Sequence, residues 1–195
     1  MSDYDAWAPV YDTWATGMPQ DLEHYVRLAA EADGPIVELA VGTGRVALEI
    51  VRRTGKPVLG IDSSPAMLEI ARERIPGGRV VQGDAVPLPF QDGSFDRVFT
   101  GHFYGHLRPG EREQFVAEAL RVARELVVVD SHVRPDHDAE EEQERTLNDG
   151  SVHTVYKRYF TGAGLAAELA CDEVLHVGDW FVMVRVSAPT SAPSA

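Results

Sequence analysis

Three carboxylates and one glycine-rich turn carry the most specific chemistry in this 195-residue chain: Glu38, Asp62 and Asp84, with Gly42-Thr43-Gly44. The turn follows the apolar run Ile36–Val41 and precedes Val46-Ala47-Leu48-Glu49-Ile50-Val51, which has helical spacing. That pattern predicts a strand, a tight turn and a helix. A helix start presents unpaired N–H groups, and glycines let a ligand approach the backbone. Two ligand chemistries compete. Gly42-Thr43-Gly44-Arg45-Val46-Ala47 fits the dinucleotide pattern G-x-G-x-x-G/A, with Asp62 twenty residues beyond Gly42 where a ribose-binding acid belongs. Against a pyrophosphate stands Glu38, four residues before Gly42, whose carboxylate suits an ammonium or sulfonium group instead. A second set of reactive residues is His102 and His106, either of which could accept a proton near neutral pH or make a structural hydrogen bond.

The elements that must position these groups follow in β-α order. Strands are predicted at 36–41, 57–62 and 79–84, with helices at 45–54 and 65–75 between them. Ser64-Pro65 supplies an N-cap and a first-turn proline. Each of the three acids then lies near the end of one strand, and in a parallel sheet those ends face one crevice. A fourth strand, Phe95–Thr100, runs into Gly101-His102-Phe103-Tyr104-Gly105-His106.

These segments resemble the class I S-adenosylmethionine-dependent methyltransferase family. Glu38-Leu39-Ala40-Val41-Gly42-Thr43-Gly44 is similar to its first motif, acid-x-Gly-x-Gly-x-Gly, with Ala40 in place of the first glycine. Gly60–Leu68 resembles the second, Gly83-Asp84-Ala85 the third, and Leu88–Val98 the segment leading into strand four. The resemblance implies a Rossmann-like, doubly wound α/β fold whose seven-stranded sheet is mostly parallel with an antiparallel last strand. It implies S-adenosylmethionine as cofactor and S-adenosylhomocysteine as product, held by Tyr11, Glu38, Ala40, Gly42, Gly44, Arg45, Asp62, Ser63, Met67, Asp84, Ala85, Thr100 and Gly101. Asp62 would accept the ribose hydroxyls, or else merely cap the next helix. Asp84 would accept from the adenine amino group beside the Ala85 N–H, or else be an ordinary turn aspartate. Met67 and Val86 would flank the adenine or simply fill the core. His102, nearer the strand end, is the expected base, with His106 second.

The flanks are less specific. Tyr4, Trp7, Tyr11 and Trp14 form an aromatic cluster that either covers the core or closes over the site as a lid, where rings attract a sulfonium by cation–π interaction. Residues 20–32 place Leu22, Val26 and Ala29/Ala30 on one helical face. Residues 109–124 read as a helix and 126–130 as a strand. The acidic run Asp136–Glu144 reads as a solvated face, and Asp149-Gly150 as a hairpin turn. Arg145 and Lys157 in so acidic a chain suggest pairing with glutamates or an anion site; with Tyr11 and Trp14 they are the expected substrate contacts. A resemblance to small natural-product O-methyltransferases, one of them acting on phosphonates, rests on this half. A helix at 163–170, a strand at 180–186 and a Pro/Ser/Ala-rich disordered tail at 188–195 end the chain.

Net charge of −13 disfavours nucleic acid and anionic membranes as partners. The lone Cys171 excludes an intrachain disulfide and fits a reducing compartment. No signal peptide or long apolar run is evident, so a cytoplasmic protein is expected. Spacing of His102, His106 and His132 matches no zinc signature, and no metal is expected. One domain at 1–187, opened by a lid and helix at 1–33, is expected to act on a small molecule as a monomer or homodimer.

Overall fold

A computed structural model describes residues 5–15, 21–135, 138–146, 150–171 and 173–189, with the side chains of 13–15 left out. The chain order is α1 (Ala8–Ala15), α2 (Leu22–Glu31), β1 (Ile36–Leu39), α3 (Arg45–Thr54), β2 (Val58–Asp62), α4 (Pro65–Arg74), β3 (Val80–Gln82) and β4 (Phe95–Gly101). After one 3-10 turn at Tyr104–His106 come α5 (Pro109–Val122), β5 (Ala123–Ser131), β6 (Glu140–Thr146), β7 (Val152–Arg158), α6 (Gly162–Glu168), β8 (Glu173–Val177) and β9 (Phe181–Ser187).

Local chemistry sets the helix ends. The Ser64 side chain accepts from the Met67 N–H with Pro65 at the first position, and Thr161 accepts from Gly164 N–H at 2.9 Å to open α6. Glu111 reaches back to the Arg108 N–H at 2.6 Å at the start of α5.

Seven strands form one sheet in the order β3-β2-β1-β4-β5-β9-β8. The first five are parallel neighbours, and β9 is antiparallel to both β5 and β8. Side chains alternate between two apolar layers. Val37, Leu39, Val98, Leu126 and Val128 pack with Phe115 of α5 and Leu165 of α6. Ile36, Phe99, Val127 and Val129 pack with Leu28 of α2, Ile50 of α3 and Leu68 of α4. By the period of two, Glu38 shares the face of Ile36 and looks toward α2 and α3. The strand order reverses between β1 and β4, which opens a crevice at their carboxyl ends.

Two expectations are corrected, and one strand is added. The buried face of α2 is Tyr25, Leu28 and Ala29, while Ala30 is exposed, so the predicted stripe was set off by about one residue. The acidic run is in part a strand: β6 pairs antiparallel with β7, register Glu140↔Arg158 to Thr146↔Val152. Its glutamates at 140, 142 and 144 are the solvated side; Glu141, Gln143 and Arg145 turn inward. Edge strand β8 was not anticipated, because Glu173-Val174-Leu175-His176-Val177 alternates too weakly to stand out. Asp136, His137, the residues 147–149 of the hairpin turn and 190–195 of the tail lie outside the described residues.

Candidate active site

The crevice is a cleft of about 890 Å³, floored by the glycine turn and the ends of β2, β3 and β4, and roofed by α1 and the β6–β7 hairpin. Among the anticipated residues, Trp7, Tyr11, Ala40, Gly42, Asp62, Ser63, Met67, Asp84, Ala85, Val86, Gly101, His102, His106, Arg145 and Lys157 line it. Glu38, Gly44, Arg45 and Thr100 lie behind that lining, and the Trp14 side chain is not described.

The turn is left-handed at Ala40 (φ 55°), Gly42 (φ 54°) and Gly44 (φ 79°). At Gly42 the nearest atom to an added Cβ would be Tyr11 Cε1 at 3.9 Å, so the glycine leaves its backbone open toward the cleft. Gly44 instead packs tightly, with Ile75 side-chain atoms 3.0 Å from where a Cβ would stand. Asp62 accepts the Gly42 N–H through Oδ2 at 2.8 Å and the Ser64 N–H through Oδ1 at 2.9 Å. Burial outweighs these bonds and raises its pKa. Asp62 is not the cap of α4, a place that Ser64 takes; it ties the glycine turn to the loop before that helix and stands at the cleft wall. Asp84 is exposed.

Behind the turn lies a buried polar cluster. Glu38 is 4% exposed, its Oε2 has no hydrogen-bond partner, and burial pushes its pKa up to about 8. The Tyr25 hydroxyl is likewise buried and unpartnered. Arg45 grips buried Asp21 with two hydrogen bonds, 3.2 and 2.9 Å. His102 (φ 55°) has both ring nitrogens buried without a hydrogen bond, with Nε2 3.5 Å from Asp21 Oδ2. Orphaned polar atoms of both donor and acceptor type suit a ligand with a cationic and an anionic end. Asp21 and Tyr25 escaped the sequence reading, since one precedes and the other sits in an ordinary amphipathic helix. Thr100 donates to the Leu39 carbonyl at 3.2 Å and braces β4 on β1.

On the other wall, His106 Nδ1 is 2.8 Å from the Tyr156 carbonyl oxygen. Burial first, and then the Lys157 cation, lower its pKa to about 4. Lys157 is 4% exposed and its Nζ is 2.6 Å from Asp130 Oδ1. Arg145 donates to Gln143 Oε1 at 2.8 Å and stands 5.7 Å from the Trp7 ring centre. Asp12 fastens α1 over the turn: its Oδ1 accepts from Thr43 Oγ1 at 2.6 Å and its Oδ2 pairs with Arg74. Asp5 accepts from the Ser64 hydroxyl at 2.5 Å.

Residues 36–125 match a protein family described as a methyltransferase domain. The chain is 31% identical over 123 residues to an uncharacterized methyltransferase of Oceanobacillus iheyensis, covering 59% of this chain and 57% of that protein. It is 33% identical over 108 residues to the demethylmenaquinone methyltransferase of Chlorobaculum tepidum, covering 50% and 45%. The chain thus spans roughly half the length of these relatives. The solved structure of a DhpI–SAH complex superposes with a TM-score of 0.74 at 25% identity, over 95% of this chain and 94% of that one. Residues 36–125 thus carry a methyltransferase domain, and the sheet order, the glycine turn and these matches support a class I S-adenosylmethionine-dependent methyltransferase.

Proposed function

We propose that this protein transfers a methyl group from S-adenosylmethionine to a small-molecule acceptor, at an oxygen. The observation that carries this reading is the cleft at the switch point, where Gly42, Asp62, Asp84 and His106 line one space. When bound, the cofactor supplies an electrophilic methyl on a good leaving group, so the protein need only align, exclude water and move a proton. Asp62, with Ser63 beside it, would hold the ribose; Asp84, Ala85, Met67 and Val86 would hold the adenine. The amino-acid end would lie against Ala40, Gly42 and Gly101, with the Asp21–Arg45–His102 cluster, Glu38 and Tyr25 behind it. Gly44 and Thr100 would serve by shaping the turn and strand that carry these groups. Tyr11 and Trp7 would close over the sulfonium and the acceptor, with Trp14 further along α1. A pyrophosphate at the turn would have the buried acids Glu38 and Asp21 behind it, which is why a nicotinamide enzyme fits less well. An N- or C-methyltransferase, and a protein that binds the cofactor without turnover, remain the other readings. The single domain at 1–187, the lid role of 1–33, a cytoplasmic setting and a monomer or homodimer carry over as parts of this proposal. Among the described residues no helix is long and apolar enough to cross a membrane.

We read the two histidines in the reverse of the expected order. Both histidines line the cleft, but the ring nitrogens of His102 are buried, with Nε2 beside Asp21, whereas His106 has Nδ1 on the Tyr156 carbonyl. His106 is the better candidate for proton removal, and His102 for shaping the cofactor pocket. Calorimetry should show micromolar binding of S-adenosylmethionine or S-adenosylhomocysteine and little binding of NAD; the reverse pattern would sink the assignment. With an acceptor found by labelled-methyl screening of hydroxy, amino and phosphonate compounds, His106→Ala should lower kcat by roughly a hundredfold or more. His102→Ala should act mainly on cofactor affinity. A second reading follows from the cations Arg134, Arg145 and Lys157 on the acceptor wall. An acceptor already ionised, such as a phosphonate or carboxylate, needs no base; a flat pH profile and a nearly intact His106→Ala rate would favour that anion clamp.

A further inference from the structure

Lys157 and Asp130 form a buried ion pair in a protein whose other cations mostly reach the surface. Lys157 is 4% exposed, Asp130 0%, and their charged atoms are 2.6 Å apart. Burying both charges is costly unless geometry and further hydrogen bonds compensate. Asp130 has those further bonds: Oδ2 accepts the Gly105 N–H at 2.7 Å and Oδ1 the Ser131 N–H at 2.7 Å. The pair therefore clamps three pieces of backbone together, β5, the turn at Tyr104–His106, and β7. Gly105 makes the contact possible, since a Cβ there would stand 2.5 Å from the Arg158 carbonyl oxygen and 3.1 Å from Lys157 Nζ. The residue on either side of that clamp is functional in the reading above: His106 follows Gly105, and Tyr156, whose carbonyl meets the imidazole, precedes Lys157.

A carbonyl oxygen only accepts, so the short contact to Tyr156 requires the hydrogen on His106 Nδ1 in the neutral ring. The lone pair then resides on Nε2. We propose that Lys157 and Asp130 are positioning residues for proton removal, fixing β7 against the His106 turn so that the imidazole is held as its Nδ1–H tautomer with Nε2 as the proton-accepting atom. This deepens the assignment of Lys157: it acts on His106 from beneath the cleft rather than as a direct clamp on the acceptor. It rests on the reading of His106 as the base, but its test does not need the acceptor.

The charged groups facing His106 are Lys157 from β7, Asp130 from β5 and Arg145 from β6, while Glu111 of α5 lines the same cleft. Burial and the lysine disfavour imidazolium, and Asp130 opposes them. Removing the Lys157 charge while leaving Asp130 must therefore make His106 easier to protonate.

The experiment is a pH titration of 15N-labelled histidine by NMR in the full chain, with the His106 signals assigned by loss in His106→Gln. The wild type should show Nδ1 protonated and Nε2 unprotonated at neutral pH, and should begin to titrate only well below the range of a free histidine. Lys157→Gln, which keeps a donor for Asp130, should move the midpoint up by roughly one pH unit or more. Lys157→Arg should leave it near the wild type. An Nε2–H tautomer in the wild type would overturn the proposal on its own, whether or not any variant folds. A folded Lys157→Gln protein with an unmoved midpoint would also overturn it, leaving the pair a purely structural anchor. Methyl transfer enters none of these readings, so a failed acceptor screen leaves this result standing.

Discussion

At the scale of single residues, the site asks some side chains to hold protein and ligand at once. Asp62 is the clearest case. Its two oxygens satisfy the Gly42 and Ser64 amides, and the ribose hydroxyls would have to share them. Alanine there would leave two backbone donors unpaired and confuse folding with binding. Asparagine is the cleaner probe, since it keeps one acceptor and removes the charge. Asp62→Asn should weaken S-adenosylhomocysteine binding by roughly tens-fold, about 2 kcal/mol, read by calorimetry, while the denaturation midpoint falls only slightly. Unchanged affinity would place the ribose elsewhere. Ala40 offers the opposite test. It sits at φ 55° where the family motif has glycine, and a left-handed alanine costs about 1–2 kcal/mol. Ala40→Gly should therefore stabilise the fold by up to ~1 kcal/mol in urea unfolding, the gain being reduced by the freer unfolded chain.

At the scale of elements, the N-terminal helix is the piece whose role depends most on tethering. Asp12 reaches both Thr43 in the glycine turn and Arg74 at the end of α4, and these partners hold its carboxyl below its usual pKa range against the opposing effect of burial. Asp12 and Arg74 are both partly exposed, so the pair is worth little in stability, about 1 kcal/mol or less. Its effect should fall on the cover. Asp12→Asn should speed release of S-adenosylhomocysteine several-fold in stopped-flow, and moderate salt should speed release in the wild type in the same direction. Release rates indifferent to both would mean that α1 does not gate the cofactor. The same scale shows what sequence could and could not convey. The β-α repeats were legible because apolar runs, glycine punctuation and the Ser64-Pro65 cap all agree over residues 36–84. The hairpin strand β6 was hidden, because its glutamates read as solvated and only pairing with β7, where Arg158 lies opposite Glu140, makes them a strand. The pairing of Lys157 with Asp130, 27 residues away, likewise has no local signal. Sequence placed His102 and His106 in one stretch, but their different partners, Asp21 before α2 and Tyr156 of β7, arrive from distant parts of the chain.

At the scale of the whole molecule, the buried titratable groups set how stability responds to pH. Glu38 has its folded pKa raised to about 8, so folding prefers its protonated form. Its contribution is fully present below the carboxylate's unfolded value and is lost as pH rises toward 8. His106 is shifted the other way, to about 4; its contribution is present above the unfolded histidine value and is lost as pH falls toward 4. Between about pH 4.5 and 6.5 the two slopes have opposite signs and nearly cancel. Above that window only Glu38 acts, and below it the paired carboxylates Asp12 and Glu118, both with lowered pKa, add to the loss. The free protein should therefore have a flat stability maximum on the acid side of neutral, with urea midpoints falling between about pH 6.5 and 8. Glu38→Gln should flatten that alkaline decline, and the gain over wild type at about pH 8 should approach a few kcal/mol at most. A cationic ligand bound near Glu38 favours its carboxylate, so S-adenosylmethionine binding at neutral pH should release a fraction of a proton. Calorimetry in buffers of different ionisation enthalpy measures that fraction. Proton release in the wild type that disappears in Glu38→Gln would tie this buried acid to the cofactor's positive end. Equal release in both proteins would assign Glu38 to the fold alone.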